Sequence, residues 1–163
     1  MITQSRLKDV IGYNPVTGIF TWKITSGKAV KGKIAGSIHV CNGYYRISIK
    51  NKEYRAHRLA WLYMTGSMPT NEIDHINGIR SYNRFENLRE ATRSGNLQNQ
   101  RKANSKNIST KLLGAAFHKP SGTYFSRIQI NGAVKFIGAF ETAQKAHDAY
   151  VSAKRQAHPF GML

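Results

Sequence analysis

An acid and an imidazole stand side by side at Asp74-His75, and two amides follow at fixed distances. Asn87-Leu88 comes twelve positions after the histidine, and nine positions further on Asn96 sits in a polar stretch. The segment 71–101 holds few apolar residues, so something other than a core must organise it. A hard cation bridging a strand and a helix would do so. A carboxylate and an amide oxygen suit Mg²⁺ or Mn²⁺ better than zinc. Two protein ligands also leave positions for water and a phosphate oxygen. A neutral histidine beside such an ion can take a proton from water attacking phosphorus. With an unperturbed pKa of about 6.5, it is mostly in that form at neutral pH.

The elements that must position these groups follow from periodicity and turn chemistry. Ser5 to Gly12 reads as a short helix, Ile19 to Ile24 as a strand, and Gly36–Val40 with Tyr44–Ile49 as a hairpin turning at Asn42-Gly43. A second turn at Asn51-Lys52 leads to Glu53–His57, and Arg58–Thr65 is helical with Leu59, Leu62 and Tyr63 on one face. Ile73–Ile76 is a short strand running into Asn77-Gly78, Leu88–Thr92 a second strand, and Ser94 to Ala103 a polar helix. Neighbours on a regular strand face opposite ways, so Asp74 and His75 serve one phosphate only if the strand bends or ends there. Asn104–Thr110 lacks a hydrophobic pattern and reads as a linker. Leu112–His118, Thr123–Ile130 and Ala133–Phe140 are three strands, and Thr142 caps a helix from Ala143 to Gln156 with an alanine face. The fold class is α+β: N-terminal hairpins and a helix, a central strand–loop–strand–helix motif, then a small three-stranded antiparallel sheet with one helix.

Charge narrows the partner. Twenty-five Lys and Arg against eight Asp and Glu give +17 over 163 residues. Ten basic and two acidic residues fall in 1–56, eight and four in 57–110, and seven and two in 111–163. An excess spread along the whole chain fits a polyanion contacted over its length better than one basic membrane-surface helix. No apolar run approaches a membrane span. The first ten residues carry no signal-type apolar core. The one cysteine, Cys41, excludes an internal disulfide and a cysteine-rich zinc site. His57 reads as a structural partner beside the central strand. His39, His118, His147 and His158 read as surface or hairpin residues.

The central stretch resembles the HNH endonuclease family, in particular its phage and intron homing types. Asp74-His75, Asn87-Leu88-Arg89 and Asn96 carry the resemblance, with Asn77-Gly78 and Thr92-Arg93-Ser94 between them and His57-Arg58-Leu59-Ala60-Trp61 before them. It implies a ββα-metal fold in which Asp74 and Asn96 hold one divalent ion, Mg²⁺ or Mn²⁺. His75 is then the general base, and Asn87 pins the loop. The ion would stabilise the leaving 3′ oxygen, giving 3′-hydroxyl and 5′-phosphate ends. The last third resembles the DNA-binding domain of plant ethylene-response factors, through Gly114–Phe117, Thr123–Ile128, Asn131-Gly132, Phe136–Phe140 and Ala149-Tyr150. That resemblance implies a sheet laid in the major groove. Alternation from Tyr124 puts Phe125, Arg127 and Gln129 on the open side, joined by Lys135 of the next strand and by Lys119.

The expected organisation is therefore a DNA-contacting region at 1–56, a nuclease motif at 57–103, a linker at 104–111 and a DNA-binding domain at 112–163. The expected activity is metal-dependent hydrolysis of a DNA phosphodiester, nicking by a monomer with one site. Arg80, Arg84, Arg89 and Arg93 flank the motif for phosphate contact. Double-stranded DNA is the partner; no membrane and no small-molecule cofactor is expected. The expected setting is the cytoplasm of a bacterial host, from a phage gene. The rival is a DNA-binding regulator on an inactive HNH fold, with steep salt dependence and no cleavage.

Overall fold

A computed structural model describes residues 2–158. The described residues fall into two compact units that divide between Arg93 and Ser94. The division falls at the start of the helix after the motif strands, ahead of the expected linker.

In the first unit, α1 (Gln4–Val10) starts where the Thr3 hydroxyl accepts from the Arg6 N–H. A hairpin of β1 (Ile11–Asn14) and β2 (Ile19–Trp22) follows. An antiparallel sheet of β3 (Ser37–Ile38), β4 (Tyr45–Ile49) and β5 (Lys52–Arg55) comes next. The β3–β4 connection is longer than the expected two-residue turn: His39 N–H donates to the Tyr44 carbonyl, and Val40–Gly43 form the loop. The β4–β5 turn is Lys50-Asn51, both at positive φ (49° and 61°), one residue earlier than the sequence suggests. That pair of left-handed residues is the type I′ geometry that matches strand twist.

Helix α2 (Ala56–Thr65) buries Leu59, Ala60 and Leu62 and ends at Gly66, whose φ of 87° continues the chain out of the helix. Strands β6 (Glu72–His75) and β7 (Leu88–Ala91) pair antiparallel, with a 3₁₀ turn at Phe85–Asn87 just before β7. One hydrophobic core draws on Leu7, Ile11, Phe20, Ile47, Leu59, Ile73 and Leu88, so α1, both small sheets, α2 and the β6–β7 pair share a single apolar interior. The motif strands are thereby braced by packing, without a disulfide.

The second unit begins with α3 (Arg93–Gln98), shorter than the helix to Ala103 that the sequence suggests. Asn107 and Thr110, in the stretch expected to be a linker, bond to the carbonyls of Leu112 and Ala115 and so tie that stretch to the first strand of the next sheet. That sheet is β8 (Ala115–His118), β9 (Thr123–Ile130) and β10 (Ala133–Phe140), in the order β10-β9-β8. Asn131-Gly132, at φ 51° and 83°, makes the tight β9–β10 turn. Helix α4 (Ala143–Ala157), capped by the Thr142 hydroxyl on the Lys145 N–H, packs on one face of the sheet. Two expected surface histidines are partly or wholly interior here. His158 is buried and bonds the Gln129 carbonyl, and half-buried His147 bonds the Leu113 carbonyl. Burial follows because each ring can satisfy a backbone oxygen that the helix–sheet packing would otherwise strand. Among the described residues no helix is long and apolar enough to cross a membrane.

Candidate active site

Asp74 and His75 close strand β6. The register sets Asp74 across from Arg89 and His75 across from Leu88. The strand ends there, since Gly78 N–H donates to the His75 carbonyl in a turn where Gly78 adopts φ 72°. The two side chains thus lie where strand becomes loop, and both are buried, at 5% and 4% exposure.

Asn87 ties the loop shut. Its side-chain Oδ1 accepts from Asn77 N–H at 2.9 Å, and its Nδ2 donates to Asn77 Oδ1 at 3.0 Å and to the Tyr82 carbonyl at 2.8 Å. Asn77 Oδ1 also accepts from Ile79 N–H at 2.9 Å, and Ile76 N–H donates to the Asn87 carbonyl. One buried amide therefore spans both ends of the β6–β7 connection.

Asn83, His57 and Tyr44 stand around the His75 ring. Its Nε2 lies 3.2 Å from the carboxamide oxygen of buried Asn83. The His57 ring stands edge-on at 5.0 Å between centroids, and the Tyr44 ring at 6.1 Å. Burial lowers the His75 pKa below the ordinary histidine value; the Asn83 bond and the Asp74 charge pull the other way, and Arg80 adds to the lowering. A neutral imidazole at physiological pH is what a base requires. His57 opens α2 and is pushed down to about 3, first by burial and then by His75, Arg55 and Arg58. Its Nδ1 has no hydrogen-bond partner. His57 is beside the site and out of reach of solvent, as a structural neighbour would be.

The arginines expected to flank the motif separate into kinds. Arg89 grips Asp74 Oδ2 through Nε at 2.9 Å and Nη2 at 2.8 Å, a forked contact set by their direct pairing across the strands. Its guanidinium is committed to the acid. Arg80 is exposed, lies 5.1 Å from the centre of the Tyr44 ring and donates to the Asn42 carbonyl, while Arg55 lies 4.8 Å from the same ring. Arg84 lies 4.8 Å from the centre of the Tyr82 ring, and Arg93 is exposed at the start of α3. Asn96 is half-buried within α3, in the second unit. Asn83 and Tyr44 were not foreseen. For Asn83 the only signal was the density of asparagines in the loop; for Tyr44 there was none.

Zinc-type chemistry finds no cage: among the described residues no three His, Cys, Asp or Glu side chains cluster as metal ligands. The donors that the motif offers are one carboxylate and amide oxygens. They fit a hard ion that keeps most of its water.

Away from this site, a groove of about 1100 Å³ in the first unit is lined by Arg6, Lys28, Arg46 and Lys50 beside Trp22 and Ile34. Arg46 is paired with Glu53 there. In the second unit, Ser126 and Ile128 face inward, whereas Arg127 and Gln129 are exposed, as alternation requires. Arg127 lies over the Phe125 ring at 5.2 Å, Gln129 bonds the Gly132 carbonyl, and Lys119 sits exposed in the β8–β9 turn. Lys135 does not join them. The register pairs Lys135 with inward-facing Ile128, and opposite residues share a face. The open-side neighbours from β10 are instead Val134, across from Gln129, and Phe136, across from Arg127. Alternation along a single strand does not fix this face; the cross-strand register does.

Residues 54–98 match the family model described as HNH endonuclease. Asp74, His75, Asn87 and Asn96 all lie inside the matched stretch. Among solved structures, one described as "DNA binding and cleavage by the HNH homing endonuclease I-HmuI" is similar at 22% identity. The match covers 78% of this chain and 71% of that one, with a TM-score of 0.46. No curated protein matches.

Proposed function

We propose that the chain is a metal-dependent DNA endonuclease that nicks duplex DNA as a monomer. The observation that carries this reading is the buried Asp74-His75 pair at the end of β6, inside the segment that matches the HNH endonuclease model. His75 takes the proton from the attacking water, its imidazole kept neutral by burial. Asp74 and Asn96 would hold one divalent ion, Mg²⁺ or Mn²⁺. When bound, that ion supplies positive charge where the leaving 3′ oxygen develops negative charge. Asn87 keeps the β6–β7 loop in one shape, so the base is presented without reorganisation.

The rest of the chain grips the duplex. Arg80, Arg84 and Arg93 contact phosphates near the cut. The basic groove with Lys28 and Lys50 tracks the backbone. In the reading of the second unit as an ethylene-response-factor-like module, Phe125, Arg127, Gln129 and Lys119 meet the major groove, with Arg127 and Gln129 the donors suited to base edges. The net charge of +17 supports contact with a polyanion.

Supercoiled plasmid incubated with Mg²⁺ or Mn²⁺ tests the reading. Nicked circles from the wild type, and none from His75→Ala, are the expected result. Wild-type protein that binds DNA yet leaves it intact in every divalent ion would make the chain a binding regulator on an inactive fold.

A further inference from the structure

We propose that Asn83 is a positioning residue for His75: its carboxamide oxygen holds the imidazole in the Nε2–H tautomer, leaving the lone pair on Nδ1, and the β1–β2 turn holds Asn83 there. The inference rests on the reading of His75 as the base. It adds a residue that the motif does not contain and a brace from the N-terminal hairpin.

The amide's orientation is set by its other end. Asn83 Nδ2 donates to the Ser81 carbonyl at 3.1 Å, so a flipped amide would face oxygen against oxygen. With the orientation fixed, Oδ1 is the atom at His75 Nε2, and an amide oxygen can only accept. The proton must then be on Nε2. In a neutral ring that puts the basic lone pair on Nδ1. The other loop asparagines, Asn77 and Asn87, spend their side-chain oxygens on backbone N–H groups, as turn-formers do. Asn83 spends its oxygen on an imidazole.

Asn83 is itself fixed by a segment seventy residues away. Tyr13, at the centre of β1, donates its hydroxyl to the Asn83 carbonyl at 2.7 Å in a buried contact. Phe85 N–H donates to the Pro15 carbonyl. Gly18, at φ 75°, lets the turn lie against this backbone; a Cβ there would fall 2.5 Å from the Asn83 carbonyl carbon and 2.6 Å from Arg84 N. The hairpin turn and the residue behind the base are thus packed backbone to backbone.

The test reads the ring nitrogens of His75 by ¹⁵N NMR in the full chain, above the pH range of histidine titration. The signals are assigned by their loss in His75→Ala. The wild type is expected to show a single Nε2–H tautomer. Asn83→Leu should shift the population toward Nδ1–H, and Asn83→Asp, which keeps an acceptor, should restore it. In plasmid nicking, Asn83→Leu should lower kcat about tenfold or more with KM for DNA unchanged, as loss of base orientation predicts. A folded Asn83→Leu protein whose His75 remains wholly Nε2–H would overturn the proposal. If that variant does not fold, Asn83→Ala and Tyr13→Phe are read in the same way. Wild-type protein that fails to nick in any divalent ion defeats the endonuclease reading alone, because the NMR result still decides what Asn83 does.

Discussion

His57 is the residue whose environment has the plainest thermodynamic consequence. Its ring is 3% exposed, faces His75 and Tyr44, and lies near the Arg55 and Arg58 charges. The folded pKa of about 3 is below the unfolded value of 6.5, so in acid the unfolded chain takes up a proton that the folded one refuses. Stability on this account is complete above pH 6.5 and declines as pH falls from there toward 3. The loss is expected to reach on the order of a few kcal/mol at the acid end. His57→Phe should flatten that decline relative to wild type in urea unfolding followed across the window. The candidate residues stand out one by one because their types and spacing are a pattern in the chain. What they touch does not. Nothing in the spacing of Arg89 says that its guanidinium belongs to Asp74, and nothing in Asn83 says that it faces an imidazole, because both facts come from pairing and packing.

At the scale of elements, the β6–β7 connection depends on Asn87. Asn87→Ala would leave the Asn77 N–H and the Tyr82 carbonyl without their partner at part-buried positions of the loop. An expected cost is about 2 kcal/mol in chemical unfolding, with nicking reduced more than DNA affinity because the loop beneath the base loosens. Strands flanked by strong turn residues were legible to within a residue or two: β9, the Asn131-Gly132 turn and β10 fall where alternation places them. The face of Lys135 was not legible, because only cross-strand register fixes it, and a shift between Phe136 and Gly138 interrupts that register. The β3–β4 loop ran past its Asn-Gly signal for a similar reason: closure at His39 and Tyr44 sets its length. Lys154 was hidden altogether. It lies buried at an alanine-face position of α4 and donates to the Gln100 carbonyl, where the sequence offers only a solvated-looking lysine.

For the whole molecule, the charge of +17 sets how binding responds to salt. Affinity for duplex DNA should fall steeply between 50 and 200 mM salt, with log K linear in log salt, as expected when several phosphates release counterions. Fluorescence anisotropy with labelled duplex measures the slope. Lys28→Gln and Lys50→Gln, in the groove of the first unit, should each reduce it by about one if each lysine holds a phosphate. Arg127→Ala should instead narrow the discrimination between sequences.

Arg89 also bears on how the protein assembles. By clasping Asp74 across the strands, it gives the buried acid a counter-ion that the chain itself provides. A fold that waited for an ion to neutralise that acid would come apart under a chelator, as metal-nucleated domains do. Here EDTA should silence strand cutting and leave the melting midpoint where it was, so that the protein is a finished scaffold before any ion arrives.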